Sequence, residues 1–122
     1  MKRRKLTPAE RRQIYDKMAG RCAYCGCEIS IKNMQVDHIK PVSRGGGDDA
    51  DNLFPACRSC NHRKGTSSLE HFRHEVEQFP VVLMRHNVTY RNAVRFGLVE
   101  HKPGKVAFYF EKAGDNTCQK EN

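Results

Sequence analysis

A chain of 122 residues has room for one compact domain built round one centre. With hydrophobic residues at 38%, charged residues at 30% and no Trp, a large apolar core is excluded, so some other staple is expected, and the six cysteines are the candidates. The longest apolar run, Pro80 to Met84, is too short for a bilayer, and no basic start leads into an apolar signal core; the chain reads as cytoplasmic, where paired cysteines hold metal more often than each other.

The net charge of +8 is concentrated at the head of the chain. Residues 1 to 24 hold Lys2, Arg3, Arg4, Lys5, Arg11, Arg12, Lys17 and Arg21 against Glu10 and Asp16, while the remainder is nearly balanced. Clustered basic side chains are favoured by counterion release from a polyanion, so the head is a candidate nucleic-acid anchor; a solvated basic tail is the alternative. Thr7-Pro8-Ala9-Glu10 then predicts a helix: a hydroxyl cap, Pro at the first helical position, Glu three residues after the cap, and Gly20 as the stop. Ile14, Tyr15 and Met18 form its apolar face, and Arg11 and Arg12 fall largely off it, free to face a ligand.

From 22 to 65 helical periodicity is slight and turn residues are dense. Beyond it, Ser67 and Glu70 open a second helix with Leu69, Phe72, Val76 and Phe79 at helical spacing, ended by Pro80. Asn87 caps a third helix, Val88 to Phe96, stopped at Gly97. Alternation of Val106, Phe108 and Phe110 with Ala107 and Tyr109 predicts a strand, paired across a Pro103-Gly104 turn with Leu98 to His101 as a terminal hairpin. Residues 114–122 read as a frayed tail.

Two C-x-x-C pairs, Cys22/Cys25 and Cys57/Cys60, are separated by 31 residues. Each such turn aims two sulfurs at one point, and two turns close a tetrahedral structural zinc site; unrelated buried pairs or redox thiols are the alternative. The long gap implies an insertion between the halves of the clamp. Cys27 does not fit the C-x-x-C turn and reads as a small buried residue, and Cys118 has no visible partner.

Inside that gap stand Val36-Asp37-His38-Ile39-Lys40-Pro41, Gly45-Gly46-Gly47 and Asp51-Asn52-Leu53, and after the last zinc cysteine comes Asn61-His62-Arg63-Lys64-Gly65. Phosphodiester hydrolysis needs an activated water on one side of phosphorus and charge neutralisation on the other. A neutral imidazole is the natural base near pH 7, a hard divalent cation the natural Lewis acid. His38 is the candidate general base, and Asp37 and Asn61 are candidate oxygen donors to one cation. Asn61 follows Cys60 directly, so the clamp would position that ligand. Asp48, Asp49 and Asp51 lack the spacing of a calcium loop and read as a solvated turn.

The order D-H-I-x-P, G-G, N-L, C-x-x-C-N-x-x-K-G over about residues 20 to 65 resembles the HNH endonuclease family and its ββα-metal motif. The resemblance implies an α+β fold: a ββα-metal (His-Me finger) core at 21–65 stapled by the four-cysteine zinc site, a basic arm and helix at 1–20, and an extension of helices plus a β-hairpin at 66–113, all in a single domain. It implies a hydrolase cutting DNA, with structural zinc and catalytic Mg²⁺ or Mn²⁺. Asn52 matches the family's middle Asn, beside His38 in the catalytic set. Asn61 stands where the family name implies a second His, which makes the cation site all-oxygen; a shift of one residue would put His62 there instead. Lys64 fits the family's helix-end Lys, a phosphate contact or a cation suited to a helix C-terminus. Arg44 and Arg63 flank the same loop and helix and join Lys2, Arg3, Arg4, Lys5, Arg11, Arg12 and Lys64 as candidate DNA contacts. The implied partner is duplex DNA, with a homodimer or a phage packaging protein as a further partner in a bacterial or phage setting. The competing function is a non-catalytic zinc-stapled nucleic-acid-binding module, which would need the four cysteines and the charge but not Asp37, His38 and Asn61 together.

Overall fold

Thr7 starts the first helix, α1 (Pro8–Lys17), as the sequence predicts: its hydroxyl accepts from the Glu10 backbone N–H at 3.1 Å, and the Glu10 carboxylate accepts from the Thr7 N–H at 2.8 Å. The computed structural model describes residues 5–113. Lys2, Arg3, Arg4, Cys118 and the expected tail at 114–122 lie outside them. Two compact units divide the described chain, one of residues 5–69 and 107–113, the other Glu70–Val106.

In the first unit, α1 turns Ile14 inward against Met34 and Leu53, with Leu6, Tyr15, Ile29 and Val36 packed round them. This core is small, as the composition requires. It backs a two-stranded antiparallel sheet, β1 (Gln35–His38) and β2 (Leu53–Ala56), in a register that sets Asp37 opposite Phe54 and His38 opposite Leu53. The helix α2 (Arg58–Lys64) follows β2 after one residue, Cys57, whose sulfur caps it by accepting from the Cys60 N–H. The order β1, β2, α2 is the ββα unit, and α2 lies against β1.

Residues 107–113 return to this unit in a form the sequence does not predict. No strand forms between 98 and 110; the expected hairpin is replaced by an extended segment leading into a short helix, α5 (Tyr109–Ala113). The backbone N–H groups of Tyr109 and Phe110 donate to the Tyr24 and Ala23 carbonyls at 3.0 and 2.7 Å. Phe108 and Phe110 meet the Tyr24 ring edge-on, at centroid separations of 5.2 and 6.2 Å. Alternation in the sequence therefore marks which aromatic rings turn inward, and the partner they find is a loop, not another strand.

In the second unit, the long helix α3 (Leu69–His86) runs through Pro80 and does not end there. Proline forfeits one intrahelical bond and strains the preceding turn, a cost of about 3 kcal/mol, but it does not forbid helix on both sides. Beyond it the Arg91 guanidinium donates to the Met84 and Arg85 carbonyls at 3.0 Å each, satisfying groups the helix end leaves open. The helix α4 (Val88–Arg95) begins at the predicted Asn87 cap, which accepts from the Tyr90 N–H at 2.8 Å. Among the described residues no helix is long and apolar enough to cross a membrane.

Candidate active site

The four predicted zinc ligands come together. Cys22, Cys25, Cys57 and Cys60 have sulfurs that all lie within 4.8 Å of one another, with Cys25 and Cys57 at 3.9 Å. A tetrahedron with Zn–S bonds of about 2.3 Å sets its thiolates about 3.8 Å apart, so these donors fit zinc. Two turns build the cage. The first is closed by the Cys22 N–H on the Cys27 carbonyl at 2.8 Å and the Gly26 N–H on the Cys22 carbonyl at 3.0 Å. Gly26 holds φ +80°, where a side chain would be strained, and an added Cβ would come within 3.0 Å of the Tyr109 ring. The second turn is the start of α2. Crowding splits the thiols: a hydrogen bond from Cys60, working against burial, pulls Cys22 down to about 4, while burial above all pushes Cys25 up to about 12. A dication bound by all four sulfurs would have to displace the protons these thiols hold, so occupancy of the cage depends on pH. Cys27 is exposed, against the expectation of a buried residue, and is not one of the four.

Asp37 and His38 end β1 and, being adjacent on a strand, turn to opposite sides. Asp37 goes inward and is only 6% exposed. Its Oδ2 accepts from the Tyr24 hydroxyl and lies 3.2 Å from the Lys64 ammonium. Burial first, then the Asp37 charge, drives the Tyr24 phenol far above its ordinary range, so it remains a donor. Oδ1 has no hydrogen-bond partner among the described residues and is not sealed from solvent. His38 goes the other way, and its Nε2 sits 2.7 Å from Asp48 Oδ1.

Asn52 closes the loop between the two strands. Its Oδ1 accepts from the Lys40 N–H at 2.8 Å, and its Nδ2 donates to the Lys40 and Gly47 carbonyls at 3.0 and 2.9 Å. Lys17, from α1, braces the same loop through the Ala50 and Leu53 carbonyls at 2.5 and 2.7 Å, with its ammonium 4.4 Å from the centre of the Phe54 ring. On α2, Asn61 is half-buried and precedes Lys64 by three residues, which places both on one helix face. His62 is exposed and off that face.

Two basic residues are not the surface contacts the sequence suggests. The Lys64 side chain has no solvent exposure; its ammonium donates to the His38 carbonyl at 2.9 Å and pairs with Asp37, so it is a buried strut. Its position at the end of a helix gave no sign of this, because the strand that buries it is 26 residues away. Arg11, expected to face a ligand, commits Nη2 to the Ile31 and Met34 carbonyls at 2.7 and 3.1 Å. Lys5, Arg12, Arg44 and Arg63 stay on the surface. Arg44 donates from Nε to the Thr66 carbonyl at 3.0 Å, and Arg12 reaches Asp16 at 3.5 Å.

Tyr24 and Asp48 are site residues that sequence reasoning passes over. The first is hidden inside a cysteine motif and the second inside an acidic turn, and neither has a local pattern that names its partner.

Residues 22–67, the stretch that contains the four cysteines, Tyr24, Asp37, His38, Asp48, Asn52, Asn61 and Lys64, match the family model for HNH endonuclease. This segment is of the HNH endonuclease family. The CRISPR-associated endonuclease Cas9 of Corynebacterium diphtheriae is 36% identical over 58 residues, 47% of this chain and 5% of that protein. The SPbeta prophage-derived protein YoqL of Bacillus subtilis, whose name carries the HNH endonuclease designation, is 30% identical over 77 residues, 57% of this chain and 34% of its own. The chain thus spans well under two thirds of either relative. In fold, the Type II-C Cas9 enzyme from Actinomyces naeslundii superposes with a TM-score of 0.52 at 24% identity, covering 62% of this chain and 8% of that one. The ββα order, the four-cysteine cage and the HNH motif therefore fall on the same residues, and the fold is the ββα-metal fold.

Proposed function

We propose that the HNH segment is the cutting centre of a metal-dependent endonuclease that hydrolyses DNA phosphodiester bonds. The observation that carries this reading is the His38–Asp48 pair at the end of β1, beside a carboxylate held rigidly on the opposite side of the same strand. An imidazole that faces a carboxylate at 2.7 Å is suited to take a proton from an attacking water. Asp48 then orients the ring and supports the imidazolium that forms.

Asp37 Oδ1 and the Asn61 side-chain oxygen are hard donors, fitted to Mg²⁺ or Mn²⁺. A cation held there would supply Lewis-acid charge to the phosphate and the departing oxygen. Asn61 is favoured over His62 because it shares a face of α2 with Lys64, whose ammonium reaches Asp37. Asn52 keeps the intervening loop closed so that Asp48 stays beside His38. Zinc in the cysteine cage is structural, since four thiolates leave no position for substrate. Lys5, Arg12, Arg44 and Arg63 are the surface side chains that meet backbone phosphates, with Lys2, Arg3 and Arg4 before them. Duplex DNA is the substrate this reading favours, in a bacterial or phage-infected cytoplasm, with a second copy or a phage packaging protein supplying the choice of site.

A plasmid-nicking assay in Mg²⁺ or Mn²⁺ tests this. His38→Ala should slow nicking by about 10²- to 10⁴-fold, the usual share of a general base, at unchanged zinc content and circular dichroism. Equal activity in the two proteins, or inertness of the wild type with either cation, overturns the reading and leaves a nucleic-acid-binding module.

A further inference from the structure

The turn that carries Cys22 and Cys25 also carries Tyr24 between them, and the hydroxyl of this buried tyrosine ends on Asp37 Oδ2. Its ring is clamped by Phe108 and Phe110. From the other direction the Lys64 ammonium reaches the same oxygen at 3.2 Å. Two donors from two elements on a single oxygen fix the plane of the carboxylate and leave Oδ1 for another partner. Burying an ammonium and a carboxylate carries a desolvation penalty that a well-packed apolar pair would not. The arrangement is explained if the orientation of Asp37 is itself what the fold preserves.

We propose that Tyr24 is a positioning residue of the cation site, through which the zinc-binding turn sets the orientation of Asp37. The cysteine cage then controls both proposed cation ligands: Asn61 because it follows Cys60 in α2, and Asp37 because Tyr24 lies between Cys22 and Cys25. This rests on the reading of Asp37 as a cation ligand.

Tyr24→Phe removes the hydroxyl and keeps the ring. Zinc content by elemental analysis should stay as in the wild type, while Mn²⁺ affinity, read by electron paramagnetic resonance of the free ion, should fall about 10- to 100-fold, as is usual when a partner of a metal ligand is removed. Raising Mn²⁺ should restore nicking. Asp37→Asn is the control for the underlying reading: if it binds Mn²⁺ as the wild type does, Asp37 is not a ligand and both ideas fall. If Asp37→Asn loses Mn²⁺ and Tyr24→Phe does not, the positioning role alone is overturned. Should Tyr24→Phe fail to hold zinc, 3-fluorotyrosine placed at position 24 of the otherwise unaltered chain gives the second measurement. Its ¹⁹F resonance should move on addition of Mg²⁺, and not move in Asp37→Asn; a resonance indifferent to Mg²⁺ in the unaltered chain overturns the proposal.

Discussion

Lys64 shows how far burial can change the meaning of a residue. As the last residue of a short helix in a basic protein, it reads as a phosphate contact or as a cation suited to a helix C-terminus. In the fold its ammonium lies inside the first unit, between the His38 carbonyl and the Asp37 carboxylate. A surface contact can be removed at little cost to stability, whereas removing one member of a buried ion pair strands the other. Lys64→Ala should therefore lower the free energy of unfolding by about 3–5 kcal/mol in a denaturant titration. A change within about 0.5 kcal/mol would return Lys64 to the surface. Arg11 makes the same point with a neutral partner, since two backbone carbonyls occupy the guanidinium that sequence alone leaves free. His38 and Asp48 make it in reverse: an acidic turn that looks solvated supplies the carboxylate facing the imidazole.

Among the elements, the loop between β1 and β2 has the least room for change. A Cβ built on Gly46 would lie 1.8 Å from the Lys40 carbonyl oxygen and 3.0 Å from Asn52 Nδ2, the two groups that hold the loop shut. Gly46→Ala must therefore push backbone aside and open the Asn52 bridge. It should reduce nicking at least tenfold with zinc content unchanged, and full activity would show the bridge to be dispensable. The helices were legible to different degrees. Thr7, Pro8 and Glu10 describe α1 because a capping box is a local arrangement of four neighbouring residues. Pro80 misleads because a proline's cost is local, while the helix it interrupts is sustained by turns on both sides and by Arg91. Val106 to Phe110 mislead for a related reason: period-two alternation records that alternate side chains are buried, not which element covers them.

For the molecule as a whole, the four-cysteine cage joins the two ends of the HNH segment. Structural zinc in small modules contributes about 10–16 kcal/mol, as much as the entire net stability of a typical domain, which is about 5–15 kcal/mol. The Ile14, Met34 and Leu53 cluster of the first unit is small, so a zinc ion in the cage would be more than a supplement there. A strong zinc chelator should abolish the cooperative thermal transition of residues 22–67, followed by circular dichroism or by amide hydrogen exchange of β1 and β2. Retention of the native melting midpoint after zinc loss would assign the stability to the core instead.

The sequence by itself determined the four-cysteine cage, the capped first helix and the HNH segment with Asp37, His38, Asn52 and Asn61 in it, because spacing within short motifs dictates which donors can share a turn, a strand end or a helix face. Only the tertiary structure decided that Lys64 is buried against Asp37, that Tyr24 links the cysteine turn to the same carboxylate, that Asp48 faces His38, and that the aromatic residues near 108 cover a loop and form no hairpin. Those contacts join positions 10 to 86 residues apart. No local pattern encodes them; they follow from which surfaces meet once the cage and the small core have closed.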